Sequence, residues 1–446
     1  MFYSIRVRYF VTDTSELYQT TVRGATALQM LMSLPTFFAT HGIITTLVIW
    51  YEIFSSGNSA LTQEVTMQNF DFFNPTKLVF GKGTTERIGN EISRNGHRKV
   101  LMIAGGGSIR KNGVYDQVDR SLKNAGVDHV ESWGVRPNPE LEKVREMIAM
   151  AKDSGCDAVL SVGGGSVIDS GKSVAAGYFL DNVWDVFESH APIMEALPHY
   201  TVLTISATGS EMNMVAVLTN EAEKKKWAIM GPALYPLVSI VDPSVQTTLP
   251  WHQTVNGAVD ALSHIMEYYF IGGEAETTLA VNESLSRSII LMTDRLRDNP
   301  TDYDCRANLA WAATLAFNGV SGTGLAYGDW ASHNIEHGVS AVNPEVAHGA
   351  GLGVVFPSWI GYCRDVNPPI FERWAKNIWG AEDIDGGIAA MRSKILSWGN
   401  PVTLGGLGVD TALIDEMAAL AAKPGGLGSV KKLSESDIRE ILAASQ

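Results

Sequence analysis

Cysteine is scarce here: Cys156, Cys305 and Cys363 are the only three in 446 residues. Odd in number and far apart, they make neither a disulfide framework nor a Cys-x-x-Cys metal site, which favours a reducing, cytoplasmic setting. Basic charge is also short, with 34 Lys and Arg against 48 Asp and Glu and a net charge of −14. Binding a phosphate backbone needs a basic face, so nucleic acid is not an expected partner. Repeats of solenoid period and low-complexity tracts are missing. Between residues 24 and 51 there is no Asp, Glu, Lys or Arg, and 28–50 is largely apolar, long enough to span a bilayer. Pro35, His41, Gly42 and scattered Ser and Thr make it a mediocre span, and no clear small-x-small cleavage site follows. Residues 1–66 therefore read as an extension outside the main fold. The alternatives are a native soluble extension or, if 28–50 is a real anchor, a membrane tether.

The rest is ordinary globular sequence, 45% apolar and 18% charged, and long enough for two domains. From Met67 onward, short apolar strands are expected at 77–80, 99–104, 157–162, 201–205 and 237–242. Helical stretches at 84–95, 114–125 and 140–154, and one after 166, alternate with them. That alternation predicts a mostly parallel α/β sheet, Rossmann-like, covered on both faces. After Pro250 the strand signals nearly vanish. Amphipathic patterns run over 253–269, 275–296, 305–319, 371–397 and 434–444. The expected division is an α/β dinucleotide-binding domain at 67–250 and an all-helical domain at 251–446.

Two of the strands end in the same turn: Gly105, Gly106, Gly107, Ser108, and Gly163, Gly164, Gly165, Ser166. Glycine is needed where phosphate must approach backbone N–H groups, and the helix that follows favours its charge. This is not the G-x-G-x-x-G fingerprint, so the site should differ in detail from the ordinary dinucleotide fold. The second turn is assigned the pyrophosphate, with Thr208 and Ser210 of a third turn nearby. The first would lie by the adenosine ribose. It carries no carboxylate to hold a 2′-hydroxyl and is followed by Arg110 and Lys111, which predicts NADP(H) in preference to NAD(H).

Asp260 and His264 lie four apart in a helical pattern, so both leave one helix face. His333 and His337 repeat that spacing, and His348 follows beyond Pro344. Scattered core or surface histidines are the bland alternative. A carboxylate with three imidazoles suits one divalent zinc or iron far better than magnesium or calcium.

These features together resemble the iron-containing (group III) alcohol dehydrogenases, most closely their NADPH-dependent aldehyde reductase and butanol dehydrogenase branch. The likeness rests on Gly163 through Asp169 with Lys172, on Ala207-Thr-Gly-Ser-Glu-Met-Asn213, on Asp260 and His264, and on Gly328 through His333 and His337 to His348. It covers Met67 to the C-terminus. The resemblance implies that Asp260, His264, His333 and His348 hold one Fe2+ or Zn2+, and that His337 lies close by as a proton route. It also puts Asp169 and Lys172 with the cofactor site. The implied reaction is hydride transfer between NADP(H) and a small primary alcohol or aldehyde such as butanol or butanal, with the metal as Lewis acid. Trp311, Tyr327 and Trp330 could shape an apolar substrate pocket, and a homodimer is expected. A polyol dehydrogenase or a dehydroquinate-synthase-like enzyme shares the two-domain plan. The cyclase is disfavoured by the lack of Lys and Arg around Asp260 and His333. A binding protein without turnover is the least favoured reading.

Overall fold

The computed structural model describes residues 66–446 apart from 424, together with three earlier strands, and divides into units 1–64 and 65–446. In the first unit, β1 (Tyr3–Phe10) pairs antiparallel with both β2 (Leu17–Arg23) and β3 (Trp50–Ser55). The apolar stretch at 28–50 lies almost wholly outside the described residues. Among those described, no helix is long and apolar enough to cross a membrane.

The larger unit begins with a six-stranded parallel sheet. Its strands are β4 (Lys77–Phe80), β5 (Lys99–Ala104), β6 (Asp128–Ser132), β7 (Ala158–Gly163), β8 (His199–Leu203) and β11 (Val238–Val241), in the order β4-β11-β8-β7-β5-β6. A separate antiparallel hairpin, β9 (Val215–Asn220) and β10 (Lys225–Met230), precedes β11. Every residue of β7 and β8 is buried, as expected for central strands covered on both faces. The chain runs from β5 outward to β6 and then back across β5 to β7. The sheet thus has its switch point between β5 and β7, where a crevice opens at the carboxyl ends of the strands. Ala104 is in register with Val162, so the two glycine turns stand side by side at that crevice.

The helices that cover this sheet are α1 (Ile88–Arg94), α2 (Ser108–Lys111), α3 (Val114–Asn124), α4 (Leu141–Asp153), α5 (Gly165–Gly177) and α6 (Trp184–Ser189). The second half is helical: α7 (Trp251–Tyr269), α8 (Glu276–Asp298), α9 (Tyr303–Ala316), α10 (Ala331–Val342) and α11 (His348–Cys363) come first. They are followed by α12 (Pro368–Trp379), α13 (Ile384–Ser397), α14 (Ile414–Ala421) and α15 (Glu435–Ala443). The single helix expected over 371–397 is two, broken where Gly380 takes a left-handed φ of 67°.

Helix α7 is the axis of this half, buried along most of its length. A Cβ on Gly349 would stand 2.0 Å from the Asn256 carbonyl oxygen, so only glycine lets the start of α11 meet α7 this closely. That contact delivers His348, the first residue of α11, to the α7 side chains.

Candidate metal centre and nucleotide crevice

Four side chains meet where α7, α10 and α11 converge. His264 Nδ1 lies 3.5 Å from Asp260 Oδ1, His333 Nε2 lies 3.9 Å from the same oxygen, and His348 Nε2 lies 3.8 Å from it. Asp260 Oδ1, His264 Nδ1 and His333 Nε2 are buried with no hydrogen-bond partner among the described residues. Three orphaned lone-pair atoms aimed at one point would be costly unless something positive sits between them. The ligand atoms of Asp260, His264 and His333 lie within 4.8 Å of one another, as do those of a neighbouring set, Glu336, His337 and His348; the first set fits a divalent cation.

Burial pushes the His264 imidazole down to about 3, against the pull of Asp260, and pushes His333 well below its ordinary value, with the His348 charge adding to it. Both are therefore neutral near pH 7, the form that ligates metal. Glu267, one turn of α7 beyond His264, accepts from the Trp330 backbone N–H at 2.5 Å and from His333 Nδ1 at 2.6 Å. With its proton on Nδ1, toward Glu267, His333 would leave Nε2 free for a metal. Burial raises the Glu267 carboxyl to about 8, opposed by the backbone N–H groups of His333 and Trp330. Trp330 pays for that grip with a left-handed φ of 60°, a strained conformation for a bulky residue. Glu336 does the same service for His348, accepting from its Nδ1. Burial alone would raise Glu336, but the His348 and Lys226 charges win and hold it well below the carboxylate range.

Sequence reasoning missed both carboxylates and also Lys226. Glu267 is seven residues after Asp260 and Glu336 three after His333, spacings that share a helix face and could have flagged them. Lys226, on β10, has no such signal. Its Nζ reaches Glu336 at 3.3 Å and Ser340 Oγ at 3.4 Å, so the region around His333 is less empty of cations than the sequence implied. His337 lies beside the cluster, its ring 5.4 Å from that of His348, and is held well below its ordinary range by burial and by the Lys226 charge.

The three aromatics named from sequence fare unequally. Trp330 packs 5.3 Å from His333. Trp311 instead packs against Phe80 at the far edge of the sheet, and Tyr327 is 93% exposed. The wall beside the ligands is completed by Phe317, stacked on His264 at 4.5 Å, and by Tyr268 against Trp330.

At the crevice, Gly164 caps α5, and the turn is roofed so closely that a Cβ on Gly165 would stand 2.4 Å from Thr208 Cγ2. Ser166 is in the first turn of that helix. Gly106 and Gly107 of the other turn face open space, and Ser108 opens α2. Asp169, Lys172 and Ser210 are each hydrogen-bonded to protein groups. Lys172 spends its ammonium on Asn213 O, Asn213 Oδ1 and Val215 O, at 2.8–2.9 Å. Asp169 accepts from Ser210 Oγ at 2.6 Å and from the Val217 N–H at 3.0 Å. All three are buried. Arg110 lies over Trp133 at 3.9 Å and reaches Glu131 at 3.5 Å. Lys111 closes α2 beside it. Thus a carboxylate does stand near the first turn, on β6 rather than in the turn itself, and it also accepts from Tyr115 and Trp133 at 2.7 Å.

We expect Gly349→Ala to drive α11 off α7 and weaken metal binding by roughly tenfold, the scale of a disturbed ligand shell. Competition with a chelator measures this, and unchanged affinity would mean that the contact does not set His348.

A switch-point crevice with two glycine turns, joined to a helical half that gathers one carboxylate and three imidazoles, is an arrangement suited to a nucleotide-dependent enzyme with a candidate metal site. The family model described as iron-containing alcohol dehydrogenase matches residues 75–243, and the Fe-containing alcohol dehydrogenase C-terminal model matches 254–446. The probable NADH-dependent butanol dehydrogenase 1 of Bacillus subtilis is 38% identical, over 85% of this chain and 100% of that protein. The NADPH-dependent aldehyde reductase YqhD of Escherichia coli is 34% identical, over 78% of this chain and 91% of that one. The crystal structure of NADH-dependent butanol dehydrogenase A from Thermotoga maritima matches with a TM-score of 0.83 at 50% identity, covering 85% of this chain and 99% of that one. The chain belongs to the iron-containing alcohol dehydrogenase family and is an NAD(P)-dependent alcohol dehydrogenase.

Proposed function

We propose that this enzyme transfers hydride between NADP(H) and a small primary alcohol or aldehyde of the butanol and butanal class, at one metal held by Asp260, His264, His333 and His348. The observation that carries the reading is the convergence of Asp260 Oδ1, His264 Nδ1 and His333 Nε2, all without partners among the described residues. When bound, the metal supplies Lewis acidity toward the substrate oxygen; Fe2+ and Zn2+ both suit the donors. Gly163, Gly164, Gly165 and Ser166 take the pyrophosphate at the start of α5, with Thr208 closing the turn over it. Phe317 and Trp330 offer the substrate an apolar wall and exclude water. His337, beside His348, holds or passes the proton. Metal-dependent oxidation of NADPH with a panel of aldehydes tests the assignment; turnover confined to polyols would favour the polyol dehydrogenase reading.

The relatives are named for both nicotinamide cofactors, so the preference rests on the first turn. Gly105, Gly106, Gly107 and Ser108 bring no carboxylate, and Arg110 and Lys111 follow. Glu131 is engaged with Tyr115, Trp133 and Arg110. A charge-assisted contact to a 2′-phosphate is worth about 1.5–3 kcal/mol. NADPH should then exceed NADH in kcat/KM by about tenfold to a hundredfold. Gly106→Asp should narrow or reverse the ratio; equal kcat/KM for the two cofactors in the unmodified enzyme would refute the preference.

A cytoplasmic homodimer completes the proposal. All three cysteines are free and buried, which suits a reducing compartment. The sheet ends at β4, where Phe80 and Trp311 are exposed. Light scattering checks the mass in solution.

A further inference from the structure

We propose that Lys226 is a positioning residue for His348, acting through Glu336, and that it ties the nucleotide-binding half of the chain to the metal centre. This rests on the metal reading above.

Lys226 sits on β10 with 4% of its side chain exposed, and Glu336 is wholly enclosed. Burying an ammonium costs several kcal/mol unless it is paired, and the hairpin does not need this one for its own packing: Ala216, Leu218 and Ile229 already supply a buried apolar face. The ammonium is aimed at Glu336 Oε2, 3.3 Å away. That same oxygen accepts from His348 Nδ1, while Oε1 takes the Ser340 hydroxyl. Both carboxylate oxygens are thus occupied by protein groups, and Lys226 Nζ also lies 3.5 Å from His348 Nδ1 itself. His348 is the ligand that most needs such a hold, being 24% exposed against 4–8% for Asp260, His264 and His333.

The hairpin is itself fixed from the crevice. A two-stranded ribbon alone is marginal in water, and this one is pinned by α5, the helix that follows the Gly163–Gly165 turn. Asp169 holds the Val217 N–H and Lys172 holds Val215 O. Val217 is in register with Ala228, and Thr219 with Lys226. Asp169 and Lys172 thus link α5 to the hairpin. They carry the position of the phosphate-binding helix to β10, then through Lys226 and Glu336 to His348.

The test uses Co2+ as probe in the full chain, loaded after chelation. Lys226→Met should change the Co2+ d–d absorption spectrum, because the His348 ligand is no longer held, and should weaken Co2+ binding by roughly tenfold. Charge alone predicts the opposite, since removing a cation beside the site should tighten a cation's binding. Should the lone Glu336 charge prevent folding, the double variant Lys226→Met with Glu336→Gln removes both charges, and the same two changes are expected. An unaltered spectrum, or Co2+ binding as tight as in the unmodified protein or tighter, would overturn the proposal. Failure of the unmodified protein to take up one Co2+ per chain would instead sink the metal reading itself.

Discussion

Replacing His264 by Ala should abolish bound metal and reduce turnover by about a hundredfold or more, the scale of losing one preorganised electrostatic stabiliser, while the fold persists. The reason lies in how the ligands are mounted. His264 projects from the middle of α7, whose neighbours Val259, Leu262, Ile265 and Met266 are core residues whether or not a metal is bound. The ligand can therefore be removed without removing the scaffold. His337→Ala is the matched control: it should keep its metal and lose rate, since a proton carrier contributes about 10²–10⁴-fold. Elemental analysis and circular dichroism separate the cases. Full metal occupancy in His264→Ala would strike that residue from the ligand set, and metal loss in His337→Ala would add that one.

The second large effect concerns acid. His199, on the central strand β8, is buried with Nε2 2.8 Å from Ser161 Oγ, and burial pushes it down to about 3. In the metal-free protein His264 is held at about 3 as well. A histidine whose folded value is depressed stabilises the fold above its unfolded value, near 6.5, and loses that contribution as pH falls toward the folded value. At pH 5 each of these two should have cost about 2 kcal/mol relative to pH 7, with His333 and His337 acting in the same direction. Set against a total stability of roughly 5–15 kcal/mol, that makes the metal-free protein strongly acid-labile between pH 6.5 and 5. Denaturant melts of the metal-free protein across that range measure it, and His199→Gln should flatten the slope. A midpoint independent of pH there would mean that these imidazoles are not buried neutral.

Much of this was legible in the chain, and what was not has physical causes. Strands β5 and β7 announce themselves because strands buried on both faces read as unbroken apolar runs, and their glycine endings mark the crevice. Edge strand β6, Asp128-His-Val-Glu-Ser132, is mostly polar and gave no signal. Neither did the hairpin β9–β10, whose Lys225 and Lys226 look like a solvated turn until tertiary contacts bury the second. Helix α11 is apolar nearly all round and carries Pro357, so it shows no period to detect. Residue type and spacing marked the cluster of Asp260, His264, His333, His337 and His348, and the family resemblance chose the four proposed metal ligands from it. The groups that orient them were not marked, because Glu267 and Glu336 look like any helical glutamate until burial is known. For Asp169 and Lys172 the sequence showed a place beside a glycine turn, and only the structure shows their hydrogen bonds to the hairpin.

The uneven exposure of the four proposed ligands bears on how a metal would be acquired. Asp260, His264 and His333 are closed in from the start, whereas His348 alone has an appreciable share of its side chain in solvent. If these four side chains hold a metal, His348 would be the ligand most open to exchange with solvent. A bulky chelator should then strip the centre at a rate set by the mobility of that one imidazole.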